Sequence, residues 1–138
     1  MYKGQPVPST LEHVHRAKVS DGKSVKVTVP ASREILPQKF YLLDGFFGVA
    51  TEHVVTGEGE TAEVILTIEQ SEYETDDIIT TDEFARGDTL YFDGSKFTVA
   101  ADDGSAEPAG PIPYRKVGRV TVGKDANNVI WFLLGPQI

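Results

Sequence analysis

The chain has 138 residues, 40% of them hydrophobic and 25% charged, an ordinary globular composition that excludes collagen-like, coiled-coil and fully disordered chains. Zero cysteines exclude a disulfide framework, cysteine-ligated zinc and thiol catalysis. A net charge of −8 argues against a nucleic-acid partner, because affinity for a phosphate backbone rests on Lys and Arg.

At this size surface scaling lets about two-thirds of the unfolded chain's surface be buried, so one self-sufficient domain is expected. The longest apolar run, residues 129–134, is far below a membrane span, and the first residues lack the basic-then-apolar layout of a leader. The expectation is a soluble chain made in the cytoplasm, with no membrane partner. Charge is unevenly placed: residues 1–30 carry +3 and residues 31–138 carry −11. Such asymmetry suggests that the two parts make different contacts.

In chain order, residues 1–12 hold two prolines and a glycine without an apolar period, which reads as an extended arm. Val14, Ala17 and Val19, then Asp21-Gly22, then the alternating Val25-Lys26-Val27-Thr28-Val29 predict a strand after a tight turn, as in a hairpin. Phe40-Tyr41-Leu42-Leu43, Asp44-Gly45 and Phe46-Phe47-Gly48-Val49-Ala50 predict a second strand, turn and strand, with Gly48 marking a close backbone approach. Residues 64–68 add a strand. Residues 69–83 carry seven carboxylates and no basic residue; they read as a solvated acidic loop because calcium-loop spacing is missing. One short helix or helical turn is expected at residues 80–85, where threonine and aspartate can cap. Thr89-Leu90-Tyr91-Phe92, Asp93-Gly94 and Phe97-Thr98-Val99 give the clearest hairpin signal, residues 101–113 an exposed Pro/Gly loop, and residues 117–122 and 129–134 the last strands. Seven to nine short strands without a long helical period argue for an all-β, small antiparallel barrel or sandwich with an extended N-terminal arm. The division expected is 1–30 for the arm and first hairpin and 31–138 for the barrel body.

No chemistry stands out. Gly118 to Lys124 has the first seven positions of a phosphate-binding loop, but Asp125 replaces the Ser or Thr that would hold magnesium and the interior alternates like a strand, so a turn between strands is the better reading. His13, His15 and His53 lack the carboxylate spacing of a metal centre. There is no Gly-x-Ser-x-Gly elbow for a hydrolase. No cofactor, metal or catalytic residue is expected, and the chain does not read as an enzyme. The aromatic pairs Phe46-Phe47 and Trp131-Phe132 must point to opposite faces of their strands, so both faces need cover, and these four residues are candidates for a subunit interface.

Gly48-Val49-Ala50, Arg86-Gly87-Asp88 leading into Tyr91-Phe92-Asp93-Gly94, and Val117-Gly118-Arg119-Val120, in this order within residues 35–134, resemble a small all-β phage and prophage family of capsid-associated proteins. That family is of formally unknown function and is sometimes labelled recombinase-associated, a label the failed phosphate loop contradicts. Its members are similar to phage head decoration proteins. The resemblance implies a non-catalytic virion protein on the capsid exterior, assembled in the host cytoplasm, with the major capsid protein and itself, as a homotrimer, for partners. The N-terminal segment matches no family pattern. On its own residues it is the candidate capsid-binding arm, through Tyr2, Lys3, Val7, Leu11, Arg16 and Lys18. The rival reading is a small glycan- or ligand-binding β module that uses Trp131 or exposed Tyr and Phe rings as stacking platforms.

Overall fold

The computed structural model describes residues 17–106 and 108–138, which form eleven strands and no helix. They are β1 (Ser24–Val29), β2 (Glu34–Ile35), β3 (Phe40–Leu43), β4 (Phe46–Ala50), β5 (Val54–Val55) and β6 (Ala62–Thr67). Then come β7 (Glu72–Thr75), β8 (Thr89–Phe92), β9 (Phe97–Thr98), β10 (Arg115–Val122) and β11 (Ile130–Leu134). A curled four-stranded sheet runs β1-β6-β4-β3, a five-stranded sheet runs β7-β11-β10-β8-β9, and β2-β5 forms a ribbon. The named strand pairs are all antiparallel. The all-β expectation is met.

Two-residue periodicity explains how one hairpin serves two cores. Asp44 and Gly45, at φ 52° and 83°, form a two-residue turn with both residues left-handed, the geometry that an Asp-Gly pair favours between twisted strands. From it, Phe40, Leu42, Phe47 and Val49 face the five-stranded sheet, where they join Ile78, Phe92, Phe97, Val120, Ile130 and Phe132. Tyr41, Leu43, Phe46 and Ala50 face the hollow of the curled sheet, with Val27, Val29, Val64 and Leu66, and Ile35 of the ribbon closes it. Gly48 lies where a side chain would collide with the carbonyl of Thr67, the close approach its position predicted. Near the open side of the curl the Thr28 amide donates to Asp44 Oδ2 at 2.7 Å. Gln137 couples the C-terminal tail to β4: its Oε1 accepts from the Phe47 amide at 2.8 Å and its Nε2 donates to the Phe47 carbonyl at 2.9 Å.

Three expectations are corrected and a fourth is met in part. Residues 24–29 do not belong with an arm: β1 pairs along its whole length with β6, and Val27 and Val29 are 0% exposed, so the body begins before Ala31. Among the described residues no strand precedes β1, and Val19 is 97% exposed, so the hairpin expected there does not form. The acidic stretch is not all loop, because Glu72-Tyr73-Glu74-Thr75 alternates and pairs with β11, Tyr73 turning inward. At residues 80–85 a single turn forms, the Asp82 amide donating to the Ile79 carbonyl at 3.0 Å, but no helix follows: the segment is too short to propagate one, and the Asp82 carboxylate that could have capped it accepts from Thr98 Oγ1 and the Val99 amide instead.

The turn after β8 gives a pH prediction. Burial pushes the Asp93 carboxyl up, but the amides of Lys96 and Ser95, the Ser95 hydroxyl and the Lys96 charge outweigh it, so the carboxyl is held below its ordinary 3.8. A depressed carboxylate contributes stability that is present above 3.8 and lost as pH falls through the lower folded value. The melting-temperature gap between the parent and Asp93→Asn is therefore expected to shrink as melts are taken from neutral pH down to about pH 3. A gap that stays constant would show that the ionised carboxylate contributes nothing.

Candidate functional site

The outward face of the five-stranded sheet is where the chain displays unburied apolar surface in register with charge. Strand β11 alternates, burying Ile130, Phe132 and Leu134 and leaving Trp131 and Leu133 at 45% and 47% exposure. Pairing places Glu72 opposite Leu133 and Arg119 opposite it on the other side, and Glu74 and Val122 flank Trp131 in the same way. A register shift between Val120 and Val122 lets β10 present Val122, 40% exposed, beside Trp131. Each row therefore runs from carboxylate through apolar to basic or apolar. The Trp131 indole N–H donates to Glu74 Oε1 at 3.1 Å, and Thr121 Oγ1 donates to Glu72 Oε2 at 2.6 Å. Arg119 Nη1 donates to the Gly87 carbonyl at 2.6 Å and Arg86 Nε to that of Thr121 at 3.0 Å, which turns both guanidinium groups to the β8 side.

A groove of about 320 Å³ opens on this face between Lys116, Gly118, Arg119, Leu133, Pro136 and Ile138. Gly118 is needed here because the carbonyl of Leu133 occupies the place its Cβ would take. The glycine that opens the stretch resembling a phosphate loop is thus the middle of a strand. Among the described residues no group of three His, Cys, Asp or Glu side chains is placed to hold a metal. His53 Nε2 lies 2.9 Å from Glu34 Oε2 across the β2-β5 ribbon.

The candidate residues named from the sequence scatter across the fold. Tyr2, Lys3, Val7, Leu11 and Arg16 lie outside the described residues, as do His13 and His15. Lys18 is exposed and pairs with Asp21 at 2.7 Å. Of the expected interface residues, Phe47 and Phe132 are 1% and 0% exposed in the chain's own core, and Phe46 packs over the second core. Phe47 and Phe132 are thus core residues and are corrected as such, Phe46 is half-buried against the second core, and Trp131 is exposed. Sequence reasoning missed Glu72, Glu74, Lys116, Arg119, Val122 and Leu133. The alternation of residues 72–75 and 130–134 is the signal that would have placed Glu72, Glu74 and Leu133 with Trp131.

Residues 19–133 match the phage cement protein family. No curated protein and no solved structure matches the chain. The match covers both sheets and the ribbon as far as Leu133, the last residue but one of β11, and it agrees with the resemblance to capsid-associated phage proteins carried by Gly48-Val49-Ala50 and Tyr91-Phe92-Asp93-Gly94. An all-β body whose family match takes in both cores leaves one conclusion: the chain belongs to the phage cement protein family, structural proteins of the virion that stabilise the capsid.

Proposed function

We propose that the chain cements the capsid from outside, binding the outer surface of the shell and clamping neighbouring copies of the major capsid protein, with its own copies grouped as the trimer that the resemblance implies. The family match over residues 19–133 carries this reading. Charge placement adds the means of attachment. The segment before β2 is basic and the remainder strongly acidic. Two of its lysines, Lys18 and Lys23, are solvent-exposed and pair with the exposed carboxylates of Asp21 and Glu69, pairs worth about 0–1 kcal/mol that a better partner replaces. In this reading Tyr2, Lys3, Val7, Leu11, Arg16 and Lys18 lie along a capsid subunit, adding a strand to an exposed edge, with backbone hydrogen bonds for affinity and alternate side chains for register.

The experiment is retention on purified shells. The full chain is expected to co-sediment stoichiometrically and to raise the shells' melting temperature. Deletion of residues 1–12 is expected to lower occupancy at least tenfold while leaving the melting temperature of the free protein nearly unchanged, and added salt to weaken binding of the full chain by screening. Unaltered occupancy after the deletion would move attachment to the acidic body and sink the arm.

A further inference from the structure

The outer face of the five-stranded sheet is polarised from acid to base. Acid lies along β7 through Glu72 and Glu74, an apolar stripe along β11 through Trp131 and Leu133, and base on the far side through Lys116, Arg119 and Arg86. Glu72 and Arg119 stand in one row, each one strand away from Leu133, so about 4.8 Å to either side of it at the backbone. Acid and base equidistant from a shared apolar line is the condition for fitting a copy of oneself. Rotation about an axis parallel to β11 carries the acidic flank of one copy toward the basic flank of the next, whether two or three copies surround the axis. Rotation about an axis across the strands would set acid on acid. The edge supports the same contact: the Leu134 amide donates to the Ser71 carbonyl, and antiparallel alternation from that pair turns the backbone groups of Glu72 and Glu74 away from β11, toward a neighbour.

We infer that this face docks a second copy of the chain, Glu72 of one meeting Arg119 of the other and Glu74 meeting Arg86, with Trp131 and Leu133 gathered about an axis parallel to β11. A second copy is the occupant because both complementary flanks belong to this one chain, in register, whereas a different protein would have to bring the opposite polarity. The contact deepens the self-association in the function proposed above and rests on it, but not on the arm.

Sedimentation velocity of the full chain at high micromolar concentration tests it, with shell retention measured alongside. The parent is expected to sediment as an oligomer. Arg86→Glu with Arg119→Glu is expected to reduce it to monomer, and Glu72→Lys with Glu74→Lys to do the same from the exposed edge strand, where folding is least at risk. All four substitutions together reverse the polarity of every copy, restore acid on base and are expected to restore the oligomer. A monomeric parent, or an oligomer indifferent to either pair of reversals, overturns the inference. Failure of the quadruple variant to reassemble while its thermal melt stays cooperative overturns it too. A monomer that still saturates shells would end this inference and leave the cement reading standing, whereas an oligomer of this design that ignores shells would do the reverse.

Discussion

A chain begun at Ala31 is expected to give no cooperative thermal transition, although its first residue lies beyond everything that composition marks as arm. Strand β1 supplies all six of its residues to the ladder with β6, and Val27 and Val29 are fully buried beside Val64 and Leu66. Burying one valine is worth about 1.5–3 kcal/mol, so losing two removes roughly 3–6 kcal/mol. Half-buried Val25 goes with them and the neighbours they covered are opened to water. Against a total stability of about 5–15 kcal/mol for a domain, that loss is enough to unfold it. The control is the deletion of residues 1–12, which keeps β1. Circular dichroism melts of the two truncations decide the matter, and a sharp transition in the shorter chain would mean that β1 is dispensable.

Phe97→Ala is expected to cost about 3–5 kcal/mol, the usual range for deleting a buried ring. Phe97 is 0% exposed on a strand of two residues. Its ring centroid lies 5.0 to 5.7 Å from those of Phe40, Phe47, Phe92 and Phe132, edge-on or tilted contacts that each add to the area buried. The strand around it is held by the Phe97 amide on the Asp77 carbonyl and the Ile79 amide on the Phe97 carbonyl, both at 2.9 Å. Cavity formation at that hub removes contacts from both sheets at once. Phe97→Leu keeps most of the volume and is expected to lose less than half as much. Chemical denaturation of the three proteins gives the comparison; equal midpoints for the parent and Phe97→Ala would show that the cluster collapses without loss.

Strands long enough to alternate were legible in the sequence, and so were turns with a chemical reason. The hairpin through Asp44-Gly45 and the strand containing Gly118 stand where periodicity puts them. The two-residue strands β2 and β5 were not legible, because two residues carry no period, and beside them the Thr56 hydroxyl binds the carbonyl of Pro30 and the amide of Arg33 while backbone bonds join Thr56 to Arg33 and Ser32 to Gly57. Strand β7 was hidden by its charge, since Glu72 and Glu74 read as solvent until Tyr73 between them is seen facing inward. Aromatic adjacency does demand cover on both faces of β4, but nothing in the order of residues says that the chain curls to supply that cover itself. The acid-to-base polarity of the outer face was beyond reach for a similar reason: it joins Glu72 and Glu74 with Arg119 and Arg86 through register across the strands between them.

The β3-β4 hairpin is a party wall, with Phe40, Leu42, Phe47 and Val49 facing one room and Tyr41, Leu43, Phe46 and Ala50 the other. Neither core can loosen while the wall stands, and neither can stay closed once it buckles. Heat and strain therefore find no weak half to open first, and the body fails as a whole or holds as a whole. For a protein of a family that stabilises the capsid, a shared wall of this kind leaves neither core to be strained apart from the other.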